Sequence, residues 1–231
     1  MKTIGLIGGM SWESSLEYYR LINAGVKARL GGLHSAKSVM ISVDFAEIEA
    51  LQHTGRWAEA AQILIEAARG LERAGADCVV ICTNTMHKVA DEVQASVPLP
   101  LIHIADATAE QVKAAGLTRV GLLGTRFTME EDFYVGRLIE KYGLDVIVPE
   151  PIERGDVHRI IYDELCLGLT RTESKARYIE IMAQLIAHGA QGIILGCTEI
   201  GLLVQQADSR VPLFDTTRLH AEAAVEFSLV S

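Results

Sequence analysis

The sequence predicts an α/β fold of two pseudo-symmetric parallel-sheet domains, and three observations predict it. Short, uniformly apolar runs alternate with amphipathic segments along the chain, the order of strands and helices in α/β proteins. The runs lack the in-and-out alternation of a sheet with one wet face, so they suit parallel strands covered on both sides. The second half also repeats the first about 115 residues later.

In chain order, the predicted strands are residues 3–7, 39–43, 78–82, 101–104, 120–123, 144–148, 192–195 and 213–214. Between them, 57–73 carries Ala60, Leu64, Ala67 and Leu71 at helical spacing, and 173–188 carries Tyr178, Met182 and Leu185 likewise. The repeat aligns Ile4-Gly5-Leu6-Ile7-Gly8 with Val120-Gly121-Leu122-Leu123-Gly124, and residues 18–22 with 134–139. Later in each half, Ala74-Gly75-Ala76, a strand and Thr83-Asn84-Thr85 correspond to His188-Gly189-Ala190, a strand and Cys197-Thr198-Glu199. Residues 98–101 pair likewise with 212–213. The expected domains are 1–99 plus 210–231, and 100–209, with an active site in the crevice between them.

Composition narrows the function classes. The 231 residues are 49% hydrophobic with 5 prolines, enough for a sizeable core and too few breakers for disorder. A net charge of −9 without any Lys/Arg run excludes the electrostatic footprint of a nucleic-acid binder. The apolar runs are too short to cross a bilayer, so no membrane partner is expected. Residues 4–10 lack a signal-peptide cleavage site and run into Trp12 and Glu13, so the expected location is cytoplasmic. Cys78, Cys82, Cys166 and Cys197 form no CxxC pair and are expected as free thiols. His34, His53, His103, His158, His188 and His220 show no metal-ligand spacing, so no metal is implied. Gly5, Gly8 and Gly9 make neither G-x-G-x-x-G nor a P-loop, and the glycine turn suits a substrate carboxylate better than a nucleotide.

Ligands of open α/β sheets bind at the carboxyl ends of strands. Two facing halves would bring Thr83 and Cys197 to a ligand from opposite sides, an arrangement suited to removing a proton from one face of a carbon and returning it on the other. A thiol serves such chemistry when a helix N-terminus or neighbouring donor stabilises its thiolate near neutrality. Cys197, at an apparent strand-to-helix turn, meets that description. Its bland reading is a small buried residue, which is the expected state of Cys78, Cys82 and Cys166. Strand alternation should turn Cys82 away from the face that Thr83 occupies.

Gly8-Gly9-Met10-Ser11-Trp12-Glu13-Ser14, Thr83-Asn84-Thr85-Met86-His87 and Gly196-Cys197-Thr198-Glu199 together resemble the aspartate/glutamate racemase family, in order and spacing that span essentially the whole chain. The resemblance implies a cofactor-independent amino-acid racemase, with a small amino-acid substrate between two α/β domains, in a homodimer. It implies a catalytic cysteine in each half, yet here the first motif has Thr83 where the family usually has cysteine. A threonine hydroxyl donates a hydrogen bond but is a very weak acid, so it reprotonates a carbanion more readily than it removes a proton. By resemblance, Cys197 takes the α-proton of an L-amino acid and Thr83 supplies one from the other side, so acidic L-substrates are expected.

Met10, Ser11, Asn84, Thr85 and Thr198 are implied substrate contacts; the last three could instead cap helices. Glu199 either accepts from the substrate ammonium or orients Cys197, its bland role being a first-turn helix charge. Gln52 and Glu164 fall where relatives place basic groups for a side-chain carboxylate, and neither is cationic. Arg126 is a substitute cation or a solvated surface arginine. His87 is expected as a packed or capping group. The alternatives are a broad-specificity racemase, a one-thiol decarboxylase or isomerase of the arylmalonate decarboxylase and maleate isomerase kind, or a silent amino-acid-binding protein.

Overall fold

The computed structural model describes residues 1–230, which divide into two compact units: Met1–His103 with the segment from His220 onward, and Ile104–Leu219.

In the first unit, β1 (Ile4–Gly8) leads to α1 (Trp12–Leu30), then β2 (Ser38–Ser42), α2 (Phe45–His53), α3 (Trp57–Arg73), β3 (Cys78–Ile81), a 3₁₀ turn (Thr85–Val89) and α4 (Ala90–Ser96). The strands are all parallel in the order β2-β1-β3, with Ile4 beside both Ser38 and Cys78. Alternation along β3 sends Val79 and Ile81 into a core with Leu64, Ala67 and Leu71 of α3. Cys78, Val80 and Cys82 enter the opposite core with Tyr18, Ile22 and Val26 of α1. Helix α3 matches the expected 57–73, and the four residues of its predicted apolar face are all buried.

The second unit contains α5 (Ile104–Ala114), β4 (Arg119–Gly124), α6 (Arg126–Glu130), α7 (Val135–Tyr142), β5 (Asp145–Ile147), α8 (Pro151–Asp163), α9 (Thr172–Ala187), β6 (Ile193–Gly196), α10 (Ile200–Leu203) and β7 (Leu213–Asp215). Helix α11 (Thr216–Leu229) begins here and belongs to the first unit from His220 onward. The sheet is again parallel, in the order β5-β4-β6-β7. Its apolar strands pack with Val157, Ile160 and Ile161 of α8 and Tyr178, Ile181 and Met182 of α9.

The repeat is therefore one of topology: β2-β1-β3 and β5-β4-β6 are the same winding. Two expectations are corrected. The predicted strand 101–104 shrinks to a single parallel bridge from Leu101 to Val79, because α5 starts at Ile104 and takes the rest of the run. That bridge is the first unit's counterpart of β7. The boundary at 210 also moves, since Leu213–Asp215 pairs with β6 and keeps residues up to Leu219 in the second unit.

Gly9 shows why the turn after β1 needs glycine. Its φ is +93°, and a Cβ there would lie 2.1 Å from the Val43 carbonyl oxygen. Replacing Gly9 by alanine is expected to cost about 2 kcal/mol or more, read as a Tm several degrees lower on thermal unfolding.

Candidate active site

In the first unit, the candidate residues gather at the carboxyl ends of β1 and β3. After β1 the chain turns through Gly8 and Gly9 into Met10 and Ser11, both buried. Ser11 caps α1, its Oγ accepting from the Ser14 N–H at 3.4 Å. The expectation that the Gly8-Gly9 amides stand open to an anion is corrected for Gly9, whose N–H donates to Ser15 Oγ at 2.7 Å. Ser14 Oγ ties this turn to the end of β3, reaching the carbonyl oxygens of Ser11 (3.1 Å) and Cys82 (3.3 Å).

Thr83 follows β3 half-buried, and its N–H donates to the Ile81 carbonyl at 2.9 Å. Asn84 and Thr85 are buried at the start of the 3₁₀ turn, and Asn84 forms no side-chain cap there. Gln52, on α2, is brought to the same turn: its amide Nε2 donates to Met86 Sδ at 3.1 Å. His87 is a packed group, its Nδ1 lying 2.8 Å from the Thr83 carbonyl oxygen. Cys82 is fully buried in the apolar core, as alternation requires, and burial pushes its thiol pKa up. Cys78, buried likewise, rises to about 11.

In the second unit, β6 ends at Gly196, where a Cβ would meet Leu122 Cδ1 and the Leu123 carbonyl oxygen, each at 2.9 Å. Cys197 follows, 8% exposed, and its thiol donates to Glu199 Oε2 at 3.0 Å. The same oxygen accepts from the Thr198 hydroxyl at 2.7 Å. Glu199 is itself buried, forms no side-chain cap on α10, and so acts on its two neighbours rather than as a surface helix charge.

This geometry corrects the expected thiolate. Burial first, then the charge of Glu199, raises the Cys197 pKa well above the ordinary thiol value, against the smaller opposing pull of a hydrogen bond from the Glu199 backbone. The Cys197 thiol thus has a carboxylate oxygen as its acceptor. Cys166, Glu164 and Glu199 gather with Cys197 around the buried Tyr178, each pushing the phenol pKa further up after burial has raised it.

Glu164 ends α8, buried, with Ser174 Oγ donating to its Oε2 at 2.6 Å. Arg159 (3.7 Å) and Arg171 (3.9 Å) flank it as two exposed cations. All four residues line a cavity of about 410 Å³ with Arg177 and Glu173. Arg126 lies exposed one residue past Thr125, the cap of α6. Its backbone N–H donates to His158 Nδ1, whose pKa is lowered by burial and then by the Arg126 charge. No group of three or more His, Cys, Asp or Glu side chains placed to hold a metal ion is found among the described residues. Nor is any helix there long and apolar enough to cross a membrane.

Sequence reasoning missed Met86 as the anchor of Gln52, Ser174 as the partner of Glu164, and the ring contacts of His87 with His103 and His220. The position of Met86 and His87 inside the Thr-Asn-Thr-Met-His motif was the available signal. Nothing in sequence marked Ser174 or His220.

Residues 7–224 match the model of the Asp/Glu/Hydantoin racemase family. A crystal structure from Yersinia pestis, provisionally assigned as an Asp/Glu racemase, is 58% identical with a TM-score of 0.93, each chain covered in full. An aspartate racemase homologue from Pyrococcus horikoshii is 37% identical, with a TM-score of 0.84 over 99% of both chains. A broad-specificity amino-acid racemase of Bacillus subtilis is 23% identical over 72% of this chain and 71% of its own length.

Proposed function

We propose that this chain, which belongs to the Asp/Glu/Hydantoin racemase family, is a cofactor-independent amino-acid racemase that handles the α-proton with Cys197 on one face of Cα and Thr83 on the other. The observation that carries the reading is the buried Thr198-Glu199-Cys197 array, a carboxylate with two hydrogen-bond donors converging on one oxygen. For an L-amino acid, Glu199 accepts the thiol proton and Cys197 becomes the base. The thiolate then takes the α-proton, leaving a carbanion and a restored thiol. Thr83 gives its hydroxyl proton to the opposite face; solvent reprotonates the alkoxide left behind, and Glu199 releases to solvent the proton it took from the thiol, which restores every group. The low acidity of an amino-acid α-proton makes hydrogen-bond donors to the substrate carboxylate essential. Met10, Ser11, Asn84 and Thr85 are proposed around the substrate, with Thr198 accepting from its ammonium.

Thr83 makes the two half-reactions unequal, because an alkoxide forms far less readily than a thiolate. Enantiomers have equal free energies, so kcat/KM is nonetheless the same in both directions. The asymmetry therefore surfaces as exchange: in D₂O the α-proton of an L-substrate is lost faster than the centre inverts. Proton NMR on separate L- and D-aspartate, glutamate and a neutral amino acid, with enantiomer analysis, tests this. Equal exchange from both enantiomers would overturn the assignment of faces; no exchange from any of them by folded protein would overturn the racemase reading. The variant Thr83→Cys supplies a second thiol and is expected to raise inversion about tenfold or more relative to L-exchange.

Acidic side chains are the proposed substrates, from the family resemblance; the guanidiniums of Arg159 and Arg171 lie beside Glu164, in a cavity whose three arginines face three carboxylates, Asp156, Glu164 and Glu173. The neutral Gln52 and the anionic Glu164 favour a second reading, broad specificity, and the same panel of amino acids separates the two. A homodimer is proposed from the family resemblance, to be read by light scattering during size-exclusion chromatography. A cytoplasmic location is likewise proposed from the sequence.

A further inference from the structure

A buried histidine cluster lies directly behind the turn that carries Thr83. His87 Nδ1 is 2.8 Å from the Thr83 carbonyl oxygen. A carbonyl only accepts, so this nitrogen carries the hydrogen. The backbone of the 3₁₀ turn begins its own bonding one residue later, with the His87 N–H donating to the Asn84 carbonyl at 3.0 Å. Thr83 is thus held on its N–H side by Ile81 and on its carbonyl side by an imidazole.

That imidazole is itself fixed. The His103 ring lies against it at 4.6 Å between centroids, and the His220 ring at 5.6 Å. His220 is locked at both nitrogens: Nε2 donates to the Ile102 carbonyl at 2.6 Å, and Nδ1 accepts from the Tyr18 hydroxyl at 2.8 Å. Ile102 is pinned beside β3, its N–H donating to the Val79 carbonyl at 2.9 Å. Burial lowers the His220 pKa to about 4, which keeps its ring neutral and this hydrogen-bond pattern single across the ordinary pH range.

We infer that His87 is a positioning residue for Thr83: its Nδ1–H, braced by the rings of His103 and His220, fixes the main chain of Thr83 and thereby the direction of the hydroxyl. The inference rests on the proposed role of Thr83. It matters because a weak acid contributes only when its proton is aimed, and a displacement of about 1 Å in such a group costs on the order of a hundredfold. It also separates His87 from proton transfer, since the nitrogen that faces Thr83 is committed to a carbonyl.

The test uses three variants of the full chain and two readouts taken together, inversion and L-substrate α-proton exchange in D₂O. Asparagine places an amide N–H near the Nδ1 position, whereas glutamine places it near Nε2. His87→Ala and His87→Gln are expected to slow inversion about tenfold or more while leaving L-exchange within about twofold, because the Cys197 half-reaction is untouched. His87→Asn is expected to restore the wild-type ratio. In a Thr83→Ala background, His87→Gln is expected to add nothing. Inversion and exchange falling together in His87→Gln, rescue by glutamine instead of asparagine, or an unchanged ratio in all three would overturn the inference. If His87→Ala does not fold, the Asn and Gln pair still decides. Wild-type protein inactive on every amino acid would instead sink the racemase reading, a distinct failure.

Discussion

Replacement of Cys197 by alanine is expected to abolish α-proton exchange from L-amino acids, lowering it by on the order of 10³ to 10⁴, the full contribution of a positioned acid/base group. The size follows from the second unit's geometry. Glu199 is buried and accepts from Cys197 and Thr198 on one oxygen, so deleting Sγ removes the proposed base from the end of β6. Cys166 is near enough to add to the rise of the Cys197 pKa. Thr83→Ala provides the contrast. It is expected to stop inversion while L-exchange continues, since abstraction and return on the Cys197 face need no partner opposite. Following loss of the α-proton signal in D₂O, with chiral analysis of the same samples, reads both variants. Substantial L-exchange in Cys197→Ala would reassign the base.

The parts of this fold legible in sequence were those that burial dictates locally. Helix 57–73 and the strands β1, β3, β4 and β6 needed only periodicity, because those strands are buried along nearly their whole length, whereas β2 and β5 stay partly exposed. The repeat carried the equivalence of β1 with β4 and of β3 with β6. Competition between elements was not legible: the apolar run 101–104 suits a strand, but Ile104 is claimed by α5 and only Leu101 bridges. At the candidate site, the sequence nominates residues but not their electrostatics. Cys197 reads as an activatable thiol from its turn, yet the state of that thiol depends on where the Glu199 carboxylate points, a rotamer choice that spacing leaves open. Glu164 reads as an anion where a cation was wanted, and Arg159 and Arg171 enter only through tertiary packing. The bracing of His87 by His220 joins residues 133 positions apart and had no sequence signature.

Glu199→Gln is expected to separate the two things Glu199 does to Cys197. Glutamine keeps the shape and can still accept from the thiol, but it carries no charge and takes no proton. Loss of the charge removes the second-largest cause of the raised thiol pKa, so the variant thiol should ionise more readily and react faster with iodoacetamide near pH 8. Loss of the proton acceptor should slow L-exchange and inversion alike by on the order of a hundredfold. A more reactive thiol with a slower enzyme is the signature of a carboxylate that works as the base; faster exchange at every pH would show that Glu199 only restrains the thiol. Linkage supplies a check that does not use substrate. A thiol whose pKa is higher folded than unfolded gives stability that is complete below the unfolded value, near 8.5, and is lost as pH rises above it, by at most about 1.4 kcal/mol per pH unit. Cys78 and Cys82, raised by burial, contribute to the same slope in both proteins. Tyr178 also feels the Glu199 charge, so the comparison of wild type with Glu199→Gln in urea unfolding is made between pH 8.5 and about 9.5, below the ordinary phenol value, where the variant is expected to lose stability no more steeply than wild type. A variant thiol that reacts with iodoacetamide no faster than the wild-type thiol would mean that Glu199 does not govern it, and the array at the end of β6 would lose its base.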